Sequence, residues 1–136
     1  MKCLAVCHDE LVIRTLARAL TRSLDVEFLV EDRLLARRLH GSGLEITVGN
    51  PRRVETYLRA NAEPNTCVLV EASGRRSLSS TLEAIRDAGV TLIYLLDVGS
   101  SVTTKQQRAL RAAEQEVGCL SLAGLIRGPL VGTLER

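Results

Sequence analysis

The sequence predicts an α/β fold: a doubly wound, mostly parallel sheet of six strands, in the order 3-2-1-4-5-6, with helices on both faces. Strand-like and helix-like segments alternate from one end of the chain to the other, which is typical of a parallel sheet covered by helices. The segment TCVLVEAS is apolar almost throughout, as expected for a central strand buried on both faces. At 136 residues the chain fits one domain with a sizeable core.

The first half of the chain contains three predicted strands and three predicted helices. The strands cover residues 2–7, 25–30 and 44–49, and the helices cover residues 10–23, 32–43 and 51–62. The first helix has a core stripe at helical spacing, formed by Ile13, Leu16, Ala17 and Leu20. Asp32 is expected to cap the second helix, which is expected to stop at Gly41 and Gly43. We interpret Asn50 and Pro51 as the cap and the first residue of the third helix.

The second half continues the alternation. Strands are expected at residues 66–73, 90–97 and 119–122, helices at 77–89, 105–118 and 125–136, and a polar loop at 98–104. The helix from residue 105 is predicted to end at Gly118, and Gly128 with Pro129 is expected to break the closing helix.

Composition excludes several classes of function. The 18 basic and 16 acidic residues give a formal net charge of +2, which is too weak a bias to indicate a nucleic acid partner or a membrane surface. Only 2% of the residues are aromatic, which argues against base stacking on single-stranded nucleic acid. No apolar run is long enough to span a membrane and no signal peptide precedes the first strand, so we expect no membrane insertion and a cytoplasmic location.

The four cysteines lie in or beside apolar, strand-like runs. Cys3, Cys7, Cys67 and Cys119 form no Cys-x-x-Cys pair and no cluster with histidine. We therefore expect them to be free, buried thiols rather than disulfides or metal ligands.

Four segments resemble the TrkA-N family, also called the RCK N-terminal domain. They are the first strand leading into RTLARAL, the acidic end of VEFLVED, the run ITVGNPRRVETYLRANAEPNTCVLVEAS, and the ending EVGCLSLAGLIRGPLVGTL. The third segment is the most specific. Gly49-Asn50, residues 58–62 and residues 67–70 stand where the family has Gly-Asp, a helix closing on alanine, and an apolar strand.

This resemblance implies a Rossmann-type, NAD(P)-binding regulatory domain over residues 1–136. It also implies a homodimer attached to an effector in a longer protein. That effector would be a potassium transport protein or, since similar domains precede such enzymes, a DHH-type phosphoesterase. No Asp-His-His motif is present in this chain.

The glycine-rich phosphate loop of such domains is altered here. Alignment on RTLARAL places His8, Glu10 and Ile13 where the three glycines would permit a tight turn, close approach of the diphosphate and close helix packing. We expect the Glu10 carboxylate, assisted by Asp9, to occupy the anion site at the helix N-terminus, and Ile13 to displace the helix or fill the space beside it. His8 is interpreted as a turn residue, because no serine, cysteine or metal partner is predicted nearby.

Other parts of a nucleotide site remain in the sequence. Glu31 lies 23 residues after His8, close to where a carboxylate binds ribose hydroxyls in such domains, although Glu31 and Asp32 could equally serve only to start a helix. Asn50, Ala72 and Ser73 belong to the rim of the same crevice. Arg75 and Arg76 would add positive charge beside it, or are ordinary surface residues.

These observations favour a non-catalytic regulatory or scaffold domain with a degraded dinucleotide site and no bound cofactor. The alternative is a genuine binding domain for NAD(P)(H) or an adenine nucleotide, or, less favoured, the cofactor half of an oxidoreductase. A third function is pure assembly through an apolar surface on the last helix, formed by Leu125, Ile126, Leu130, Val131 and Leu134.

Overall fold

The structure, a computed structural model, describes residues 2–20, 25–72, 77–97 and 118–121. Its strands are β1 (Lys2–Val6), β2 (Asp25–Val30), β3 (Ile46–Val48), β4 (Cys67–Glu71), β5 (Leu92–Asp97) and β6 (Gly118–Ser121). Its helices are α1 (Glu10–Leu20), α2 (Arg33–Gly41), α3 (Val54–Arg59) and α4 (Leu78–Asp87). The helices expected at 105–118 and 125–136, and the loop at 98–104, lie outside the described residues, apart from Gly118.

The six strands form one sheet in the order β3-β2-β1-β4-β5-β6, and every pair of neighbours is parallel. The predicted fold class and strand order are therefore confirmed. The strand order reverses between β1 and β4, where the register pairs Val6 with Leu29 of β2 on one side and with Val70 of β4 on the other. Loops that follow the carboxyl ends of these strands consequently meet at one edge of the sheet.

Two apolar layers cover the sheet, one on each face. Because side chains alternate along a strand, Cys3, Ala5 and Cys7 face α1 and α2, while Leu4 and Val6 face α3 and α4. On α1 the buried residues are Val12, Ile13, Leu16, Ala17 and Leu20, which confirms the predicted stripe and adds one member. Burial of a leucine of this kind stabilises the fold by ~1.5–3 kcal/mol. All five residues of β4 are buried, as expected for a central strand.

The predicted start of the third helix was wrong. The backbone N–H of Arg53 donates to the carbonyl oxygen of Asn50 at 3.2 Å, which closes a turn over residues 50–53. Arg53 is then extended, and α3 begins only at Val54. Asn50 acts within this turn, where its Oδ1 accepts from the N–H of Arg52 at 2.9 Å, so Asn-Pro forms a turn here rather than a helix start.

Two further boundaries differ from the prediction. β3 covers three residues rather than six, because it pairs only along Phe28 to Val30 of β2. Gly118 is the first residue of β6 and pairs with Tyr94 of β5, so it does not end a helix.

Candidate functional site

The candidate site is the crevice at the carboxyl edge of the sheet, where the strand order reverses. In open parallel sheets, ligands bind at this switch point. The β1–α1 loop (residues 7–9), the β2–α2 junction and the end of β4 all reach it. The N–H of Cys7 donates to the carbonyl oxygen of Leu29 at 3.1 Å, which extends the β1–β2 ladder by one residue. His8 consequently lies level with the end of β2.

Asp9 caps helix α1. Its Oδ1 accepts hydrogen bonds from the N–H groups of Leu11 and Val12 at 2.9 and 3.4 Å, and its carbonyl oxygen accepts from the N–H of Ile13 at 3.0 Å. These are the amides that a diphosphate would contact at the start of a Rossmann helix. The anion site of α1 is therefore occupied by a carboxylate of the chain itself.

Glu10 lies elsewhere, so its expected position at the helix amides was wrong. Its Oε1 accepts from Nε of Arg38 on α2 at 3.0 Å, and its Oε2 lies 3.5 Å from Nε of Arg14. The hydrogen bond from Arg38 holds the pKa of the Glu10 carboxyl below its usual value, and the charge of Arg14 acts in the same direction. The residue before Glu10 takes the amides because an N-cap side chain lies outside the first helical turn and points back toward it.

Ile13, the third replaced glycine, is fully buried in the layer between the sheet and α1. Its side chain fills the space where a glycine would let helix and strand approach closely.

His8 contacts a buried carboxylate that sequence reasoning missed. Its Nε2 lies 2.7 Å from Oε2 of Glu71, the last residue of β4, and the Glu71 side chain is 1% exposed. The other Glu71 oxygen, Oε1, accepts from the N–H of Asp9 at 3.3 Å. The signal in the sequence was a single acidic residue at the end of an otherwise apolar strand. Its position beside the β1–α1 loop follows only from the strand order.

The β2 end of the crevice carries a second polar group. The side chain of Glu31 is 56% exposed, and its Oε1 lies 3.4 Å from Nη2 of Arg52. Nε of Arg52 in turn donates to Oδ1 of Asn50 at 3.2 Å. Glu31 and Asn50, both expected at the crevice, are thus joined through Arg52, which sequence reasoning did not single out.

Asp32 has a structural task in this fold. Its Oδ1 accepts from the N–H groups of Leu34 and Leu35 at 2.9 and 3.4 Å, and this caps α2 as expected. Of the two adjacent carboxylates, only Asp32 caps the helix. Glu31 is paired with Arg52 instead.

Ala72 is buried, and its N–H donates to the carbonyl oxygen of Leu96 at 3.4 Å, which continues the ladder beyond β4. Ser73, Arg75 and Arg76, the other residues expected on this side, lie outside the described residues. So does the apolar surface expected on the last helix.

Cys3, Cys7 and Cys67 are buried thiols outside any disulfide, as expected. Cys3 and Cys67 are direct neighbours on β1 and β4. A hydrogen bond between them, together with burial, raises the pKa of the Cys3 thiol. Across residues 2–20, 25–72, 77–97 and 118–121, no three side chains of histidine, cysteine, aspartate or glutamate gather as metal ligands would. The helices within those ranges include none with the length and apolar character to cross a membrane.

Comparison with known proteins adds fold similarity alone. No family model and no curated protein matches the sequence. Among solved structures, ChuY, an anaerobillin reductase from Escherichia coli O157:H7, aligns over 93% of this chain with a TM-score of 0.56 and 16% identity. A ChuY structure from E. coli CFT073 gives a TM-score of 0.49 and 16% identity over 93% of this chain. A Citrobacter sp. triphenylmethane reductase complexed with NADP(H) gives 0.49 and 20% identity over 82% of it.

The chain spans 65%, 63% and 46% of the lengths of these three proteins, respectively. At 16% identity, the similarity to the O157:H7 reductase concerns the fold. Together with the strand order, it identifies a Rossmann-like α/β domain.

Proposed function

We propose that this chain is a Rossmann-type domain that binds an adenine nucleotide or NAD(P)(H) in the switch-point crevice, with the nucleoside beside Glu31. The observation that carries this proposal is the exposed Glu31 carboxylate at the carboxyl end of β2, where Rossmann domains bind ribose hydroxyls. Arg52 and Asn50 orient that carboxylate from the neighbouring turn. The fold shared with the O157:H7 reductase is compatible with such a ligand.

Asp9 weakens diphosphate binding in this proposal without abolishing it. Loss of an N-cap hydrogen bond costs about 1 kcal/mol, which is about a factor of five in affinity. A diphosphate that displaces the Asp9 carboxylate meets this cost and, in addition, the repulsion between like charges. A ligand that does not contact the amides of Leu11 and Val12 leaves the Asp9 cap intact. Such a ligand meets neither the loss of the cap nor the repulsion between like charges.

Isothermal titration calorimetry with adenosine, AMP, ADP, ATP, NAD(H) and NADP(H) tests the proposal. We expect Glu31→Ala to weaken every ligand that carries a ribose by about tenfold, since hydrogen bonds to a charged acceptor contribute ~1.5–3 kcal/mol. Glu83→Ala is the matched control, because Glu83 is an exposed glutamate on α4. Absence of binding by all these ligands, or an equal effect of the two substitutions, would contradict the proposal.

A second candidate function is a regulatory or scaffold domain of the TrkA-N type that binds no nucleotide and acts on an attached effector as a homodimer. The observation that favours it is the Asp9 carboxylate on the helix amides. The same calorimetry separates the two candidates. Sedimentation of the chain over a range of concentrations tests the homodimer, since a monomer at all concentrations is incompatible with it.

A further inference from the structure

We propose that His8 and the buried Glu71 form a phosphate-binding pair that makes the crevice select a single terminal phosphate over a diphosphate bridge. This inference rests on the proposed function, because it names the class of nucleotide that the crevice accepts. The ligand is a nucleoside monophosphate, and its phosphate contacts the His8 imidazole rather than the amides of α1.

The first step is the fixed position of Glu71. Its carboxylate is 1% exposed, and both oxygens have partners, the N–H of Asp9 at 3.3 Å and Nε2 of His8 at 2.7 Å. A buried carboxylate requires such partners, because leaving it unpaired costs several kcal/mol. Glu71 is thus anchored to the β1–α1 loop at two points, and it holds one ring nitrogen of His8.

The second step is the free side of the imidazole. The His8 side chain is 41% exposed, whereas the Glu71 side chain that it contacts is 1% exposed. Nε2 is directed at Glu71, and no group within the described ranges contacts Nδ1. A protonated imidazole donates from both ring nitrogens, so in that form His8 keeps Nε2–H on Glu71 and has Nδ1–H for a ligand. A cationic donor held in this way is suited to a phosphate oxygen.

The third step is the distance to Glu31. The β1–β2 register pairs Val6 with Leu29, and the next rung joins Cys7 to Leu29. His8 and Glu31 therefore follow adjacent strands at about the same level, and such strands lie roughly 4.7–4.9 Å apart. The ribose hydroxyls and the 5′-phosphate of one nucleotide are separated by a comparable span, so we expect one ligand to lie across the ends of both strands, with its ribose at Glu31 and its phosphate at His8.

The fourth step is the charge around the phosphate. Asp9 at the start of α1 and Glu71 at the end of β4 both lie next to His8. Glu31 at the end of β2 is already paired with Arg52. A second phosphate placed toward α1 would meet the Asp9 carboxylate, which occupies the amides of Leu11 and Val12. One phosphate on His8 leaves the amides of Leu11 and Val12 to Asp9, and this favours a monophosphate.

Calorimetry with AMP and adenosine tests the pair in the whole chain. We expect AMP to bind the unchanged protein about tenfold more tightly than adenosine, a difference of ~1.4 kcal/mol. His8→Asn should bring the two affinities within about twofold of each other and leave that of adenosine unchanged. The matched control is His40→Asn, because His40 is exposed on α2 and is the other of the two histidines. An AMP preference that survives His8→Asn overturns the inference, and so does equal affinity for AMP and adenosine in the unchanged protein.

A titration with inorganic phosphate, followed by NMR of the two histidine rings, requires neither a nucleoside nor a stable variant. We expect phosphate to shift the His8 ring signals and to leave those of His40 unchanged. A response of His8 no larger than that of His40 overturns the phosphate-binding pair. A selective response of His8 in a protein that binds no nucleoside supports the pair and contradicts the proposed function instead.

Discussion

At the scale of single residues, the β1–α1 loop shows how a phosphate site is altered while its fold is kept. Asp9 accepts from the second and third residues of α1 at 2.9 and 3.4 Å, and Asp32 accepts from the corresponding amides of α2 at the same two distances. The cap on α1 is therefore an ordinary one, and it contributes about 1 kcal/mol to stability. The start of α1 is stabilised by the same bonds that close its anion site.

Gly49 provides a test of packing at the end of β3. A Cβ at this position would lie 2.6 Å from Cγ2 of Thr56, a buried residue whose hydroxyl is fixed by donating to the carbonyl oxygen of Asn50 at 2.7 Å. We expect Gly49→Ala to lower the free energy of unfolding by about 1–3 kcal/mol, because Thr56 has no room to move aside. Urea denaturation measures the effect.

Gly41→Ala is the control for this substitution. Gly41 is the last residue of α2, and nothing lies within 4 Å of an added Cβ. We expect a small gain in stability there, since alanine is the better helix former. Equal effects at the two glycines would show that the Thr56 contact does not limit this position.

The buried thiols give a second prediction at this scale. In a Cys119→Ser variant, we expect Cys3, Cys7 and Cys67 to react with a thiol reagent such as DTNB only after addition of denaturant. All three are buried. The hydrogen bond with Cys67 and burial raise the pKa of Cys3, which keeps it as the unreactive thiol. Rapid labelling of any one of them under native conditions is incompatible with this packing.

At the scale of elements, the contact between α1 and α2 depends on Glu10 and Arg38. We expect Arg38→Met to raise the pKa of the Glu10 carboxyl toward its usual value, as followed by NMR titration, because the hydrogen bond that lowers this pKa is lost. The folded-state pKa lies below the unfolded value. The stabilisation by this pair is therefore present above the ordinary carboxyl pKa and disappears as the pH falls through the folded-state pKa.

Arg18→Met is the control, since Arg18 is an exposed arginine in the last turn of α1 and Glu10 lies in the first. Only Arg38→Met should shift the Glu10 titration clearly. Equal titration curves in the two variants would mean that Arg38 does not act on Glu10 in solution.

The sequence predicted most elements because the signals for them are local. The bounds of β2 were predicted at Asp25 and Val30, and the start of α2 follows from Asp32. The start of α3 was missed, because Asn-Pro is equally compatible with a turn and with a cap. Here the tertiary bond from the Tyr57 hydroxyl to the carbonyl oxygen of Pro51, at 2.5 Å, holds the segment as a turn. No local pattern contains that contact.

At the scale of the whole molecule, the strand order determines which residues share the crevice. Alternating segments predict this order, since parallel crossovers are short and right-handed. The order brings the β1–α1 loop beside the end of β4, yet the pairing of His8 with Glu71 depends on side-chain directions that spacing does not specify. For the same reason, the sequence correctly predicted a carboxylate at the amides of α1 but assigned it to the wrong residue. Glu10 was expected there, and the structure has Asp9.

The affinity for ADP before and after Asp9→Gly tests most directly whether Asp9 occupies the diphosphate position. Glycine removes the carboxylate at little cost in helix stability, whereas Asp9→Asn keeps a cap and removes only the charge. We expect Asp9→Gly to tighten ADP binding about fivefold or more, Asp9→Asn to have a smaller effect, and adenosine to bind all three proteins equally. Unchanged ADP affinity in Asp9→Gly would contradict the claim that this carboxylate competes with the diphosphate for the amides of α1.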